Sequence, residues 1–128
     1  MSIKYNTIQR GEPGVAGGGQ KKFYAQVVTD GEVNVNQLVK LIEKFSALSE
    51  PDIRGVIIAL LNVIVEQITD GKIVRLEELG SLYAGISSEG VATGEEVTSA
   101  VIRKAHVIFR PGKRINDALK TAQFQKVK

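Results

Sequence analysis

The chain has 128 residues, of which 43% are hydrophobic, and a formal net charge of +3 at pH 7. This length suits one compact domain with an appendage and is too short for two full domains. The chain contains no cysteine, which excludes a disulfide scaffold, thiol catalysis and cysteine-ligated zinc. Because the N-terminus lacks the apolar core of a signal peptide and no apolar run approaches a membrane span, we expect a soluble cytoplasmic protein without a membrane partner.

Alternating residues predict two short strands at the N-terminus, Ile3 to Arg10 and Lys22 to Val28. A glycine-rich loop, residues 11–19, joins them. It has neither the strand-to-helix context nor the Gly-Lys-Ser/Thr ending of a phosphate-binding loop, so we reject a nucleotide site here. Residues 1–31 are therefore predicted to form an N-terminal β-hairpin extension.

Two helices are predicted next. The first begins at Asn34 or two residues later, where the spacing of polar residues suits a capping box. The second follows Ser49, which can cap it, and has Pro51 in its first turn, where a missing N–H costs little. It is predicted to run to Asp70, with Gly71 as the stop.

The middle of the second helix, residues 56–65, is apolar on nearly every side, which a small monomer could not bury. A buried strand is the alternative because many of these residues are β-branched, but the cap, the length and the glycine stop favour a helix. We expect a two-fold homodimer in which two copies of this helix share one core. The predicted dimer core comprises Val56, Ile57, Leu60, Leu61, Ile64 and Phe109.

After the second helix the hydrophobic period changes to two, which predicts three strands. They run from Ile73 to Leu76, from Gly80 to Ile86 and from Val97 to Phe109. A polar tip, residues 87–96, separates the last two strands. A short helix from about Lys113 to Gln123 is predicted to follow.

Positive charge is concentrated at the C-terminal end. Residues 103–128 carry eight basic side chains against the single acid Asp117, whereas residues 70–102 carry two basic side chains against six acids. Within the basic segment, Pro111 and Gly112 stand between a strand and a helix. Proline fixes φ, glycine permits a close approach, and the first helical turn has unpaired amides, so this turn suits a phosphate. An ordinary strand-to-helix turn is the alternative.

No pattern predicts catalysis. The single histidine, His106, has no Asp or Glu at a metal-ligand spacing. The pairs Glu77-Glu78 and Glu95-Glu96 would point to opposite faces of a strand and do not form a carboxylate dyad. We expect no enzymatic activity, cofactor, metal ion or small-molecule substrate.

Five short motifs stand in the order of these elements. They are Gln37-Leu38, Leu48-Ser49, Asp70 to Leu76, Leu79 to Leu82, and Phe109 to Lys113. Together they resemble the bacterial HU and integration host factor family of histone-like DNA-binding proteins. The N-terminal extension is similar to that of the extended HU-related variants of Bacteroidetes-type bacteria.

The resemblance implies an α+β, HU-like fold over residues 32–124. This fold would have two N-terminal helices, a three-stranded sheet with a protruding β-arm, and a short C-terminal helix. The β-hairpin extension, residues 1–31, would precede it, and a basic tail, residues 125–128, would follow.

The resemblance also implies a homodimer, or a dimer with a paralogous HU-like chain, that condenses double-stranded DNA in the nucleoid with little sequence preference. Its DNA-binding residues would form a basic saddle: Arg75, Arg103, Lys104, Arg110, Pro111, Gly112, Lys113, Arg114 and Lys120. The arm tip departs from the family pattern because it carries Glu89, Glu95 and Glu96 and has no proline wedge. Two hypotheses remain: an architectural DNA-binding protein, or a structural or protein-interaction module that keeps the dimer fold with weak or lost DNA bending.

Overall fold

A computed structural model describes residues 1–127, in which six strands and three α-helices are formed. In chain order they are β1 (Ile3–Arg10), β2 (Lys22–Val28), α1 (Val35–Glu43), α2 (Glu50–Thr69), β3 (Val74–Arg75), β4 (Gly80–Ser88), β5 (Ile102–Pro111), α3 (Lys113–Lys120) and β6 (Phe124–Lys126). The chain divides into two compact units: one holds Met1–Asn34 and the residues from Ala118 onward, and the other holds Val35–Asp117. The domain limits expected from the sequence, 1–31, 32–124 and 125–128, stay a prediction; the basic tail ends with Lys128, which lies outside the described residues.

The first unit is built on a three-stranded sheet in the order β2-β1-β6. The antiparallel pairing of β1 and β2 runs unbroken from Lys4 opposite Val28 to Arg10 opposite Lys22, which confirms both predicted strands. The parallel pairing of β6 with β1 starts at Ile3 opposite Phe124 and was not predicted. A three-residue strand has too few residues to show a period, so only its distant partner reveals it.

The helices of the second unit follow their local signals. Ser49 caps α2: its Oγ accepts a 3.5 Å hydrogen bond from the Asp52 N–H and donates one of 2.9 Å to the Asp52 carboxylate. At the other end Gly71 adopts φ 80°, a left-handed conformation that favours glycine, so α2 stops at Thr69. Helix α1 packs on α2, which in turn packs against β3 and β4.

The second unit also contains an antiparallel sheet in the order β3-β4-β5. The pairing of β4 and β5 runs from Gly80 opposite Pro111 to Ser88 opposite Ile102, with an irregularity next to Ser88. The predicted start of the last strand at Val97 is wrong, because residues 94–96 and 99–101 form 3₁₀ turns. In the second of these turns the Thr98 hydroxyl accepts a 3.3 Å hydrogen bond from the Ala100 N–H, and such local bonds compete with a strand ladder.

Very little of the chain is buried. Among residues 1–127, Val39 and Ile53 are the only apolar side chains that reach a buried state. Helix α3 ends at Lys120, three residues before its predicted end, because the chain turns there toward β6. None of the described helices is both long and apolar enough to cross a bilayer.

Candidate nucleic-acid interface

One face of the second sheet gathers basic side chains. Directly paired residues of neighbouring strands lie on the same face, and the register pairs Ser81 with both Arg75 and Arg110. The two arginines therefore flank Ser81, with Cα atoms about 10 Å apart because strands are spaced by about 4.8 Å. Alternation places Tyr83 and Lys104 on this face as well. We call the surface formed by Arg75, Ser81, Tyr83, Lys104, His106 and Arg110 the basic face.

Tyr83 positions the Arg110 side chain. Arg110 Nε donates a 2.6 Å hydrogen bond to Tyr83 Oη, and the guanidinium carbon lies 5.9 Å from the ring centroid. A cation near an aromatic face gains a further electrostatic attraction. Arg75 Nη1 lies 3.4 Å from Ser81 Oγ. Within the described part of the chain neither arginine forms an ion pair, so both charges are available to an anion.

The two arginines also line a common cavity of about 390 Å³. Ser81 and Tyr83 add hydroxyl groups to its lining. Guanidinium groups present a planar fork of N–H donors that matches the oxygens of a phosphate. One carboxylate, that of Glu77, lines the same cavity and lowers its positive potential. The cavity therefore suits a phosphate that is held mainly by the guanidinium groups of Arg75 and Arg110.

The turn at Pro111 and Gly112 packs closely against the β3–β4 turn. A Cβ atom on Gly112 would overlap the backbone carbonyl of Glu78, and the Gly112 N–H donates a 3.0 Å hydrogen bond to the Leu79 carbonyl. Glycine is required because the β3–β4 turn packs against it. The Gly112 N–H is therefore engaged within the chain, although Pro111 and Gly112 both line the cavity between the two arginines. A role for Pro111 and Gly112 in DNA binding stays a prediction. The close approach fixes the start of α3 against the second sheet.

The first two side chains of α3 are held by acids. Lys113 Nζ lies 2.9 Å from Asp117 Oδ2, and Arg114 Nη1 lies 3.6 Å from Glu78 Oε2. The two basic side chains are 88% and 81% exposed. Ion pairs exposed to this degree contribute only about 0–1 kcal/mol. A phosphate can compete for both cations.

The remaining predicted DNA-binding residues are dispersed. Lys104 belongs to the basic face, roughly 20 Å along β5 from Arg110. Arg103 is its neighbour in the strand but lies at the irregularity in the pairing, where it has no residue opposite it on β4. Lys120 ends α3 but groups with the first compact unit. A role for Arg103 and Lys120 in DNA binding stays a prediction.

Ser81 and Tyr83 were not among the predicted site residues. The alternation that starts at Gly80 places both on one face of β4, but only the pairing with β5 shows that Arg110 shares it. His106 lies on this face over Gly85, where an added Cβ would come within 2.7 Å of His106 Nε2. The imidazole of His106 therefore packs on the surface of the sheet.

The residues predicted for a dimer core fall into two groups. In the single chain Val56, Leu60, Leu61 and Phe109 are 58%, 45%, 59% and 48% exposed. Four large apolar side chains thus face away from the protein's own interior. Full burial of such a side chain is worth about 1.5–3 kcal/mol relative to full exposure, so at about half exposure each forgoes roughly half of that. Their place in a dimer core stays a prediction.

Ile57 and Ile64 are half-buried within the chain itself. They lie on the same helical stripe as the buried Ile53, at spacings of four and then seven residues. This inner stripe of α2 faces its own unit, which leaves less of the two side chains for a partner. Their place in a dimer core stays a prediction.

The sequence matches the HU-HIG family, described as an HU domain fused to wHTH, Ig or a glycine-rich motif, over residues 1–126. The match spans nearly the whole sequence, so the protein is an HU-related protein and belongs to the HU-HIG family. This confirms the resemblance to the HU family that the motifs indicated.

A solved structure has a similar fold. It is the crystal structure of a proposed bacterial DNA-binding protein from Bacteroides vulgatus ATCC 8482, with a TM-score of 0.68 and 17% sequence identity. The similarity covers 98% of this chain and 48% of that one, so this chain spans about half the length of that protein. At this identity the likeness concerns the fold. A comparison with curated proteins found no match.

Proposed function

We propose that this protein is a histone-like, non-enzymatic architectural protein that binds duplex DNA with little sequence preference, as a homodimer, through its basic face. The observation that carries the proposal is the arrangement of Arg75 and Arg110 on either side of Ser81, both without an ion pair among residues 1–127. Membership of the HU-HIG family and the fold shared with a proposed DNA-binding protein support it. A protein of this kind would reside in the cytoplasm, on the nucleoid.

The chemistry of the basic face supports binding to the phosphate backbone. Arginine and lysine neutralise phosphates and release condensed counterions, which gives affinity that falls steeply with salt. Contacts to phosphates carry no base information, so such a surface would show weak sequence preference. Lys113 and Arg114 follow Arg110 closely in the chain and would extend the same positive region once phosphates displace Asp117 and Glu78.

The apolar outer surface of α2 supports the homodimer. Val56, Ile58, Leu61, Val63 and Val65 are all at least half exposed, although they lie in one helix of a small protein. A second copy of the chain, with its own α2, could cover them around a two-fold axis, since a two-fold interface packs a surface against itself. Dimerisation would also place two basic faces on one assembly, which doubles the number of phosphates it can neutralise.

The arm tip argues against intercalation as the means of bending DNA. Glu89, Glu95 and Glu96 are exposed, and residues 89–101 contain no basic side chain. Three carboxylates would be repelled by the negative potential of a minor groove. We therefore place the DNA on the basic face rather than at the arm tip.

The test is a titration of the purified protein against a short random-sequence duplex at low and moderate salt, together with its mass in solution. A dimer whose affinity falls steeply with salt is the expected result. A dimer that fails to bind at low salt would overturn the proposal. That outcome would favour the second function, a protein-interaction module that keeps the dimer fold, which the acidic arm tip supports.

A further inference from the structure

The sheet of the first unit exposes an apolar surface that nothing in the described chain covers. Register and alternation place Tyr5, Phe23, Ala25, Val27 and Phe124 on one face of this sheet. Phe23, Val27 and Phe124 are 69%, 62% and 66% exposed. The same residues, Phe23 apart, line a cavity of about 510 Å³ together with Gln26. We call this surface the apolar hairpin face.

Strand β2 forms an open edge of the same sheet. The strand order β2-β1-β6 leaves one side of β2 without a neighbouring strand among residues 1–127. An open edge presents a row of backbone N–H and C=O groups ready to pair with another strand. The seven residues of β2 contain no proline, and their pairing with β1 has no bulge. Only Lys22, at the first position, is charged, so the edge lacks most of the features that block pairing.

We propose that β2 pairs antiparallel with β2 of a second copy, around a two-fold axis at Ala25. Ala25 is the midpoint of the strand, so pairing about it uses all seven residues. Phe23 of each copy then lies opposite Val27 of the other, an aromatic and β-branched pair of a kind that stabilises sheets. The two apolar hairpin faces join into one continuous surface across a six-stranded sheet.

Charge does not oppose pairing in this register. Lys22 of one copy lies opposite Val28 of the other and diagonal to Asp30. Each of these two charges already has a partner in its own chain, Glu12 for Lys22 and Lys4 for Asp30. No two like charges stand opposite each other along the paired strands. Pairing about Tyr24 or Gln26 would keep the faces matched but would leave two residues of each strand unpaired.

This contact is separate from the α2 surface. The pairing of β2 is argued from residues of the first unit alone. The further step, in which this pairing links one dimer to the next, depends on the proposed homodimer. Because each dimer would carry two such edges, dimers could join into a row along DNA. Self-association that rises with protein concentration would be the result.

Disulfide trapping tests the pairing directly, because the natural chain has no cysteine. In Ala25→Cys the two Cα atoms would stand about 4.5–5.5 Å apart across the axis, within the range that a disulfide spans. Thr7→Cys is the matched control: Thr7 is exposed and lies beside Ala25 on the same face, but one strand further in. Its Cα atoms would be about 14 Å apart in the paired sheet.

Under mild oxidation we expect covalent pairs from Ala25→Cys and none from Thr7→Cys. Equal cross-linking of the two variants, or none in either, would overturn the pairing. A second measurement uses sedimentation to follow the mass of the Val27→Lys protein as its concentration rises. Val33→Lys is the control, because Val33 is 60% exposed and lies outside the strands.

The Val27→Lys protein should stay at the mass of the proposed dimer when the natural chain and Val33→Lys form larger species. If its mass follows theirs, β2 does not mediate the association. DNA binding at low salt should survive in Val27→Lys, since the basic face is unchanged. Loss of DNA binding in every protein would instead count against the proposed function and leave the cross-linking result to decide the β2 contact.

Discussion

Replacing Arg110 by alanine tests the basic face most directly. The Arg110 guanidinium hydrogen-bonds to Tyr83 at 2.6 Å and forms no ion pair in the described chain. Its removal should therefore abolish a phosphate contact without releasing an internal acid. Because the side chain is exposed, the fold should be retained. A loss of binding can then be assigned to the lost charge.

The size of the effect follows from counterion release. Each phosphate neutralised on duplex DNA contributes about 0.9 to the slope of log K against log salt. A homodimer carries two copies of Arg110, so Arg110→Ala should reduce the slope by about 1.8. The electrostatic contribution to binding vanishes at about 1 M salt. At about 0.1 M, one decade lower, a slope reduced by about 1.8 corresponds to roughly 60-fold weaker binding. The loss should be similar for unrelated sequences, because the contact is to the backbone.

Fluorescence anisotropy with labelled random-sequence duplexes at several salt concentrations measures both quantities. Arg54→Ala is the matched control, because Arg54 is an exposed arginine in the first turns of α2 and has no place on the basic face. Its slope should stay near that of the natural protein. An unchanged slope for Arg110→Ala, or an equal change for Arg54→Ala, would refute the reasoning, since net charge rather than the basic face would then govern binding.

Three further substitutions test the fold and the dimer. Gly112→Ala should lower the free energy of unfolding by about 1–3 kcal/mol, because its Cβ would overlap a backbone carbonyl, whereas Gly90→Ala, which has open space around it, should be nearly neutral in urea unfolding. Equal stability of the two variants would contradict the close approach. Leu61→Asp should convert the dimer to monomers, as measured by light scattering, whereas Leu119→Asp, at a leucine of similar exposure, should not. A Leu61→Asp protein that stays dimeric would exclude α2 as the interface. Ser49→Ala should cost about 1 kcal/mol through loss of the α2 cap, measured by thermal unfolding, and an unchanged midpoint would show that the cap is dispensable.

Much of the secondary structure was predictable because its signals are local. The limits of β1 and β2 agree with their alternation, and α2 begins after Ser49 and stops before Gly71 because a capping side chain and a left-handed glycine act within a few residues. The apolar middle of α2 and the basic C-terminal end are properties of composition. Membership of the HU family could be inferred from short motifs, because their order along the chain is a property of the sequence itself.

Other features depend on residues that are distant in the sequence. Strand β6 exists because it pairs with β1, more than a hundred positions away, and no local pattern marks it. The requirement for Gly112 comes from a carbonyl of the β3–β4 turn that reaches it only in the folded chain.

The composition of the basic face was also decided by tertiary structure. The sequence determined that positive charge and alternating residues lie near the C-terminal end, because charge and period are carried by each residue and its neighbours. It could not place Arg75 beside Ser81 and Arg110, because which residues of neighbouring strands share a site depends on strand register. Register is set by pairing between strands, and pairing is a property of the folded sheet.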